Sequence, residues 1–266
     1  MTQRPSTLRR SIDARLGLSR PGQPAAGWAV RLPGVVTALL AVMAIVFVIG
    51  IALPDTPQWR MEYALGFVPG RLAAGLAGKA SVSLIEAAGP LVTHVFVHGN
   101  FAHLAINSMG LAIFGTAVAR RLAVDSGGAT SAWNLVLFLG LFFASGVAGA
   151  LLYAAFHAGS AILLVGASGA ISGLMAGAMR FALRAFAPYG PEEGALSPVG
   201  ARPVVAASAV YLGLNLMTPL GLGALVGGGQ LDIAWEAHVG GYLFGLFAFP
   251  LFDRAAIRRA SAARYG

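Results

Sequence analysis

Residues 166–177 read GASGAISGLMAG, and the fold turns on how that run is understood. Gly169, Gly173 and Gly177 recur every four residues, a spacing that bares one side of a helix and lets a second helix backbone come close. Ser168 and Ser172 stand between these glycines, and no charge follows until Arg180. Packing accounts for the glycines. A nucleophile accounts for Ser168 only if the rest of the chain brings a base to it.

The surroundings are apolar. Of 266 residues, 57% are hydrophobic and 11% charged, and the mean hydropathy is +0.75. A soluble domain carries about 25% charged residues, so the composition is that of a membrane protein. Cysteine is absent, which removes disulfides, thiolate metal sites and a cysteine nucleophile. The formal charge of +8 does not point to nucleic acid, because the basic residues are scattered among apolar spans rather than gathered in a stripe with aromatics.

About 20 apolar residues cross a bilayer, and six segments approach that length: Leu32 to Leu53, Val95 to Ala119, Trp133 to Phe156, Ser168 to Phe186, Val204 to Leu220 and Trp235 to Phe252. The fold class expected is therefore all-α, a polytopic six-helix bundle over residues 32–253. Arg4, Arg9, Arg10, Arg15, Arg20 and Arg31 precede the first span, Arg120 and Arg121 follow the second, Arg180, Arg184 and Arg202 edge the link from fourth to fifth, and Arg254, Arg258, Arg259 and Arg264 close the chain. The positive-inside rule then puts both termini in the cytoplasm and leaves Arg60, Arg71 and Lys79 outside. Residues 1–31 read as a basic cytoplasmic tail, with no apolar core resembling a cleaved signal, and 254–266 as a second basic tail. The link from Pro54 to Val92 mixes glycines with apolar pieces such as SVSLI and is expected to fold partly into the outer leaflet.

Polar residues are costly in lipid and usually face a partner or a water-filled cavity. Span two opens HVFVHGNFAHLAIN, placing His94, His98, His103 and Asn107 within fourteen residues, with His103 and Asn107 on one helix face. His238 lies in WEAHVGGYLFG near the start of span six, where Gly241 and Gly245 form a second small-residue seam. A seam on span four against a seam on span six brings Ser168 near His238. At 1.5 Å per residue, Ser168, His238 and Asn107 lie roughly 24, 22 and 20 Å from the inner ends of their spans, so all three share one level. His157, in an outer loop, reads as solvated.

Serine needs an adjacent base, and neutral imidazole is the usual one. No carboxylate is placed to complete a triad, since Asp232 and Glu236 sit in or beside the loop before His238; a Ser168–His238 dyad is the economical arrangement. Ser168 also opens its helix, where free N–H groups favour negative charge. Rival chemistries lack their residues: there is no HExxH, no mid-span aspartate pair and no phosphate-binding loop. His94 and His98 would share a face for a metal only on a regular helix.

Three motifs in this order, HGNFAHLAIN, GASGAISG and AHVGGYLFG, resemble the rhomboid intramembrane serine proteases across all six spans. The resemblance implies a Ser-His dyad that cleaves transmembrane segments of other membrane proteins, with no cofactor. It implies Ser168 as nucleophile and His238 as base. His103 and Asn107, with the backbone N–H groups of Ser168 and Ala167, match the oxyanion-binding groups; His98, Gly166, Gly169, Gly241 and Gly245 match supporting positions. Two positions depart from the family pattern. Gly89-Pro90 stands where many members have Trp-Arg in the first loop, and Ser172 stands where several have an aromatic that stacks on the imidazole. Something else must then orient His238.

The partners expected are transmembrane substrates and the lipid bilayer, in a bacterial cytoplasmic membrane, with a eukaryotic organelle as the alternative. A catalytically silent client-binding relative and a small transporter are the competing functions. Glycines in GLGALVGGGQLD, residues 221–232, suggest a mobile cap over the dyad.

Overall fold

The computed structural model describes residues 32–79, 82–125, 128–186, 195–218 and 234–265. The expected N-terminal tail and the glycine-rich cap at 221–232 lie outside the described residues. Ten helices are labelled in chain order. α1 is Gly34–Ala52; the first link folds as α2 (Asp55–Leu65), α3 (Pro69–Leu76), α4 (Leu84–Ala88) and α5 (Pro90–Thr93). α6 is Phe101–Arg121, with a wider π-helical turn at Leu111–Gly115. Then follow α7 (Gly128–Phe156), α8 (Ser168–Ala182), α9 (Arg202–Leu216) and α10 (Trp235–Tyr265).

α8 is the central helix. Ten of its fifteen residues are buried, and it touches α6, α7, α9 and α10. Its small residues make this possible. A Cβ added to Gly241 would overlap the Gly169 carbonyl, and one added to Gly245 would overlap Gly173. A Cβ on Gly169 would meet the Ala237 carbonyl at 3.0 Å, and one on Gly177 the Phe249 ring at 2.8 Å. α8 and α10 therefore meet backbone to backbone, as glycine seams allow. On the other side, a Cβ on Gly149 of α7 would overlap the Ala237 carbonyl.

Helices form at all six places expected, but among the described residues only Gly34–Ala52, Phe101–Arg121 and Ala132–Phe156 are long and apolar enough to cross a membrane. α8 and α9 have 15 residues each, about 22 Å of rise. Wrapped by other helices, α8 does not need to match the bilayer by itself. The chain is an integral membrane protein: α1, for example, exposes Val42, Ile45, Val48, Ile49 and Ile51 while burying Val36 and Met43.

Three boundaries differ from the sequence expectation. Span two does not start at Val95, because His94–Phe96 is a 3₁₀ turn and the helix proper begins only after Asn100, whose Oδ1 accepts from the His103 N–H at 2.9 Å. α10 runs past Asp253 to Tyr265, so the basic C-terminal segment continues a helix. Arg180 is buried rather than at a solvated edge, donating from Nε to the Ser197 carbonyl at 2.6 Å and from a terminal nitrogen to the Leu246 carbonyl at 2.7 Å. Arg121 grips Asp253 with two hydrogen bonds of 2.7 and 2.8 Å, tying the end of α6 to α10.

The first link is pinned without a Trp-Arg pair. Phe67 and Leu164 exchange backbone hydrogen bonds of 2.9 and 2.8 Å, and the Gly70 N–H donates to the Ser160 carbonyl at 2.8 Å. Thr93 Oγ1 donates to the Leu65 carbonyl at 2.6 Å, and Arg71 donates to the Tyr63 carbonyl at 2.7 Å while lying over the Tyr63 ring. Ser83 and Glu86 cap α4 reciprocally, and the Ser83 hydroxyl holds the Glu86 carboxyl below its ordinary value.

The seam makes a direct prediction. Gly245→Ala should cost about 1–3 kcal/mol, the range for forcing an extra group into a filled core. Gly213→Ala, at a helical glycine with open space around it, should be neutral or slightly stabilising. Thermal unfolding of both variants in one detergent checks this; equal midpoints would remove the seam as a structural constraint.

Candidate active site

The segment before α8 is held in place by its neighbours. The Gly166 N–H donates to the His94 carbonyl at 3.0 Å, and Gly166 takes φ +110°, a conformation that side-chain-bearing residues rarely adopt. A Cβ there would also run into the His103 ring. Glycine therefore serves two needs: it reverses the chain into α8 and leaves room for the imidazole. Ala167 is fully buried at the N-cap, and Ser168 is the first helical residue, so the leading N–H groups of α8 have no intrahelical acceptor.

The α8–α10 contact carries His238 to this helix end. His238 Nε2 lies 2.7 Å from Ser168 Oγ. Both side chains are half-buried, so the pair is shielded yet reachable. The other ring nitrogen, Nδ1, is 2.8 Å from Asn215 Oδ1 on α9. Asn215 Nδ2 donates to the Tyr211 carbonyl one turn earlier, at 2.9 Å.

Ser172 occupies the place beside this pair. Its Oγ donates to the Ser168 carbonyl at 2.6 Å and lies 2.6 Å from the Tyr211 hydroxyl. Tyr211 stacks on Tyr242, with ring centroids 4.6 Å apart, and Tyr242 is fully buried one turn beyond His238.

The span-two residues are distributed around the same helix end. The His103 ring lies against Gly166 and edge-on to the buried His98 ring, 5.1 Å away between centroids. Asn107 is buried one turn deeper on α6, with Nδ2 donating to the His103 carbonyl at 2.9 Å. His94 is also buried, its Nδ1 2.9 Å from the Pro90 carbonyl. With His94 in a 3₁₀ turn and His98 in the following connection, the two do not share a regular helix, so the metal pairing considered from their spacing has no helical basis. His157 is not simply solvated: its Nε2 lies 3.0 Å from Oε1 of buried Glu236, joining the end of α7 to the first turn of α10.

The family model described as the Rhomboid domain matches residues 86–254 of this chain. The chain belongs to the rhomboid family. Rhomboids are in general serine intramembrane proteases, with inactive relatives among them. No individually curated protein matches the chain. In this rhomboid, Asn215 and Tyr211 are the site-adjacent residues that motif reading missed. The available signal was a polar pair four residues apart in the apolar run VYLGLNLM, which puts both on one helix face.

Gly166→Ala should destabilise this rhomboid by about 1–2 kcal/mol from the backbone alone, more if the His103 ring has to move. Thermal unfolding measures the loss, and a wild-type midpoint would refute the requirement for glycine at this turn.

Proposed function

We propose that this rhomboid is an active serine endopeptidase that hydrolyses peptide bonds in or near transmembrane segments of membrane-protein substrates. The observation that carries the reading is the 2.7 Å approach of His238 Nε2 to Ser168 Oγ at the N-terminus of a helix. His238 takes the Ser168 hydroxyl proton as Oγ attacks the scissile carbonyl carbon. The resulting oxyanion is held by the N–H groups of Ala167 and Ser168 with His103 and Asn107. Collapse breaks the C–N bond, and His238 returns the proton to the leaving amine. Water, activated in turn by His238, then hydrolyses the acyl-enzyme. Nothing in this sequence calls for a metal or cofactor.

Six membrane-crossing helices over residues 32–253 suit this chemistry, with the basic segments 1–31 and 254–266 in the cytoplasm of a bacterial inner membrane. The short α8 then starts below the outer surface and carries Ser168 to a depth where a substrate helix begins. Exposed Trp59, Leu76 and Ile85 on the first link fit an element lying in the outer leaflet.

Labelling by a fluorophosphonate and cleavage of a model transmembrane substrate in detergent test the reading. Ser168→Ala and His238→Ala should abolish both with the fold intact, and EDTA should have no effect. Cleavage surviving in either variant would overturn the mechanism, while an unlabelled, inert wild-type protein would place the chain among silent relatives or transporters. Asn107→Ala should lower kcat by roughly 10² to 10³ with little change in KM, because the oxyanion forms in the transition state. Normal activity at unchanged stability would remove Asn107 from the oxyanion site.

A further inference from the structure

We propose that Asn215 is a positioning residue for His238, holding the imidazole in the tautomer that accepts the Ser168 proton. The inference deepens the hydrolase reading above and rests on it. The Tyr211 carbonyl can only accept, so the Asn215 amide must turn its NH2 towards that carbonyl and its oxygen towards His238. That oxygen can likewise only accept. His238 Nδ1 at 2.8 Å must therefore carry the proton, which leaves the lone pair of a neutral imidazole on Nε2, 2.7 Å from Ser168 Oγ.

The same logic continues around α9. Ser172 has one proton, and it goes to the Ser168 carbonyl at 2.6 Å; the Tyr211 hydroxyl at 2.6 Å must then donate to Ser172 Oγ. The hydrogen bonds link five residues in a ring. It leaves Ser168 at its carbonyl, passes through Ser172 to the Tyr211 hydroxyl, resumes at the Tyr211 backbone carbonyl through Asn215 and His238, and returns to Ser168 at Oγ. Ser172 stands where an aromatic would have stacked on the imidazole. Its small side chain instead receives Tyr211 from α9, and Tyr211 brings Asn215 to the ring nitrogen one turn along. When His238 takes the proton, Asn215 accepts from an imidazolium rather than an imidazole, so the contact strengthens in the transition state.

The test uses the full chain in detergent. Hydrogen bonds to a charged partner imply a loss in kcat of about 10- to 100-fold for Asn215→Ala, with KM little changed. Asn215→Asp keeps an acceptor at Nδ1 and should recover most of that loss. In ¹⁵N spectra of histidine-labelled protein, the wild type should show His238 protonated at Nδ1, and Asn215→Ala should lose that signature; His238→Ala assigns the signal. A merely structural role would lower thermal stability without moving the tautomer or splitting kcat from KM. Wild-type kcat, or an unchanged tautomer signal, in Asn215→Ala would overturn the proposal. Should Asn215→Ala fail to fold, Asn215→Asp decides: folded with near-wild-type kcat and the Nδ1–H signal supports it, and folded with either lost overturns it. A wild-type chain that shows the tautomer signal and its dependence on Asn215, yet neither labels nor cleaves, would refute the hydrolase reading while supporting the positioning contact.

Discussion

Everything at the site depends on two helix backbones touching. α8 and α10 approach so closely at Gly169–Gly241 and Gly173–Gly245 that no side chain fits between them. In lipid there is little hydrophobic drive for helices to associate, so van der Waals contact of this kind has to hold them. The contact also sets register. With Gly241 against Gly169, the residue one turn earlier on α10 reaches the start of α8, and the hydroxyl–imidazole distance follows from it.

A second constraint is that polar groups shielded from water need partners within the protein. Three side chains around the site find such a partner within their own helix. Asn107 and Asn215 both return an NH2 donor to the carbonyl four residues before them, and Ser172 does the same with its hydroxyl. At Asn215 and Ser172 this leaves an oxygen to accept from the next group in the network, aimed by the helix that carries it. Buried polar networks of this sort are costly when incomplete and rigid when complete.

The end of the bundle that carries the first link is built differently. The first link adds a backbone bridge at Phe67 and Leu164 just ahead of Gly166, and a cluster of Phe67, Ala150, Tyr153, Leu164 and Ala237 packs beneath it. His157 and Glu236 join the end of α7 to α10 two residues before His238. Trp59, Leu76 and Ile85 stay exposed on this link, while its backbone is held by the protein.

The sequence by itself determined the all-helical membrane class, the family, and the candidate pair Ser168 and His238, because hydropathy, glycine spacing and motif order are local properties of the chain. It also marked Gly166, Gly169, Gly241 and Gly245, since a missing side chain is visible as a letter. Helix lengths were less legible: α8 is short because neighbouring helices surround it, and that shielding has no signature in a hydropathy window. The 3₁₀ turn at His94–Phe96 escaped because its apolar letters continue smoothly into α6. Only the tertiary structure decided what faces His238 Nδ1. Asn215 lies 23 residues away on a separate helix, and its oxygen is aimed by a carbonyl of its own backbone, so the contact depends on how α9 packs against α8 and α10, a relation that no linear spacing contains.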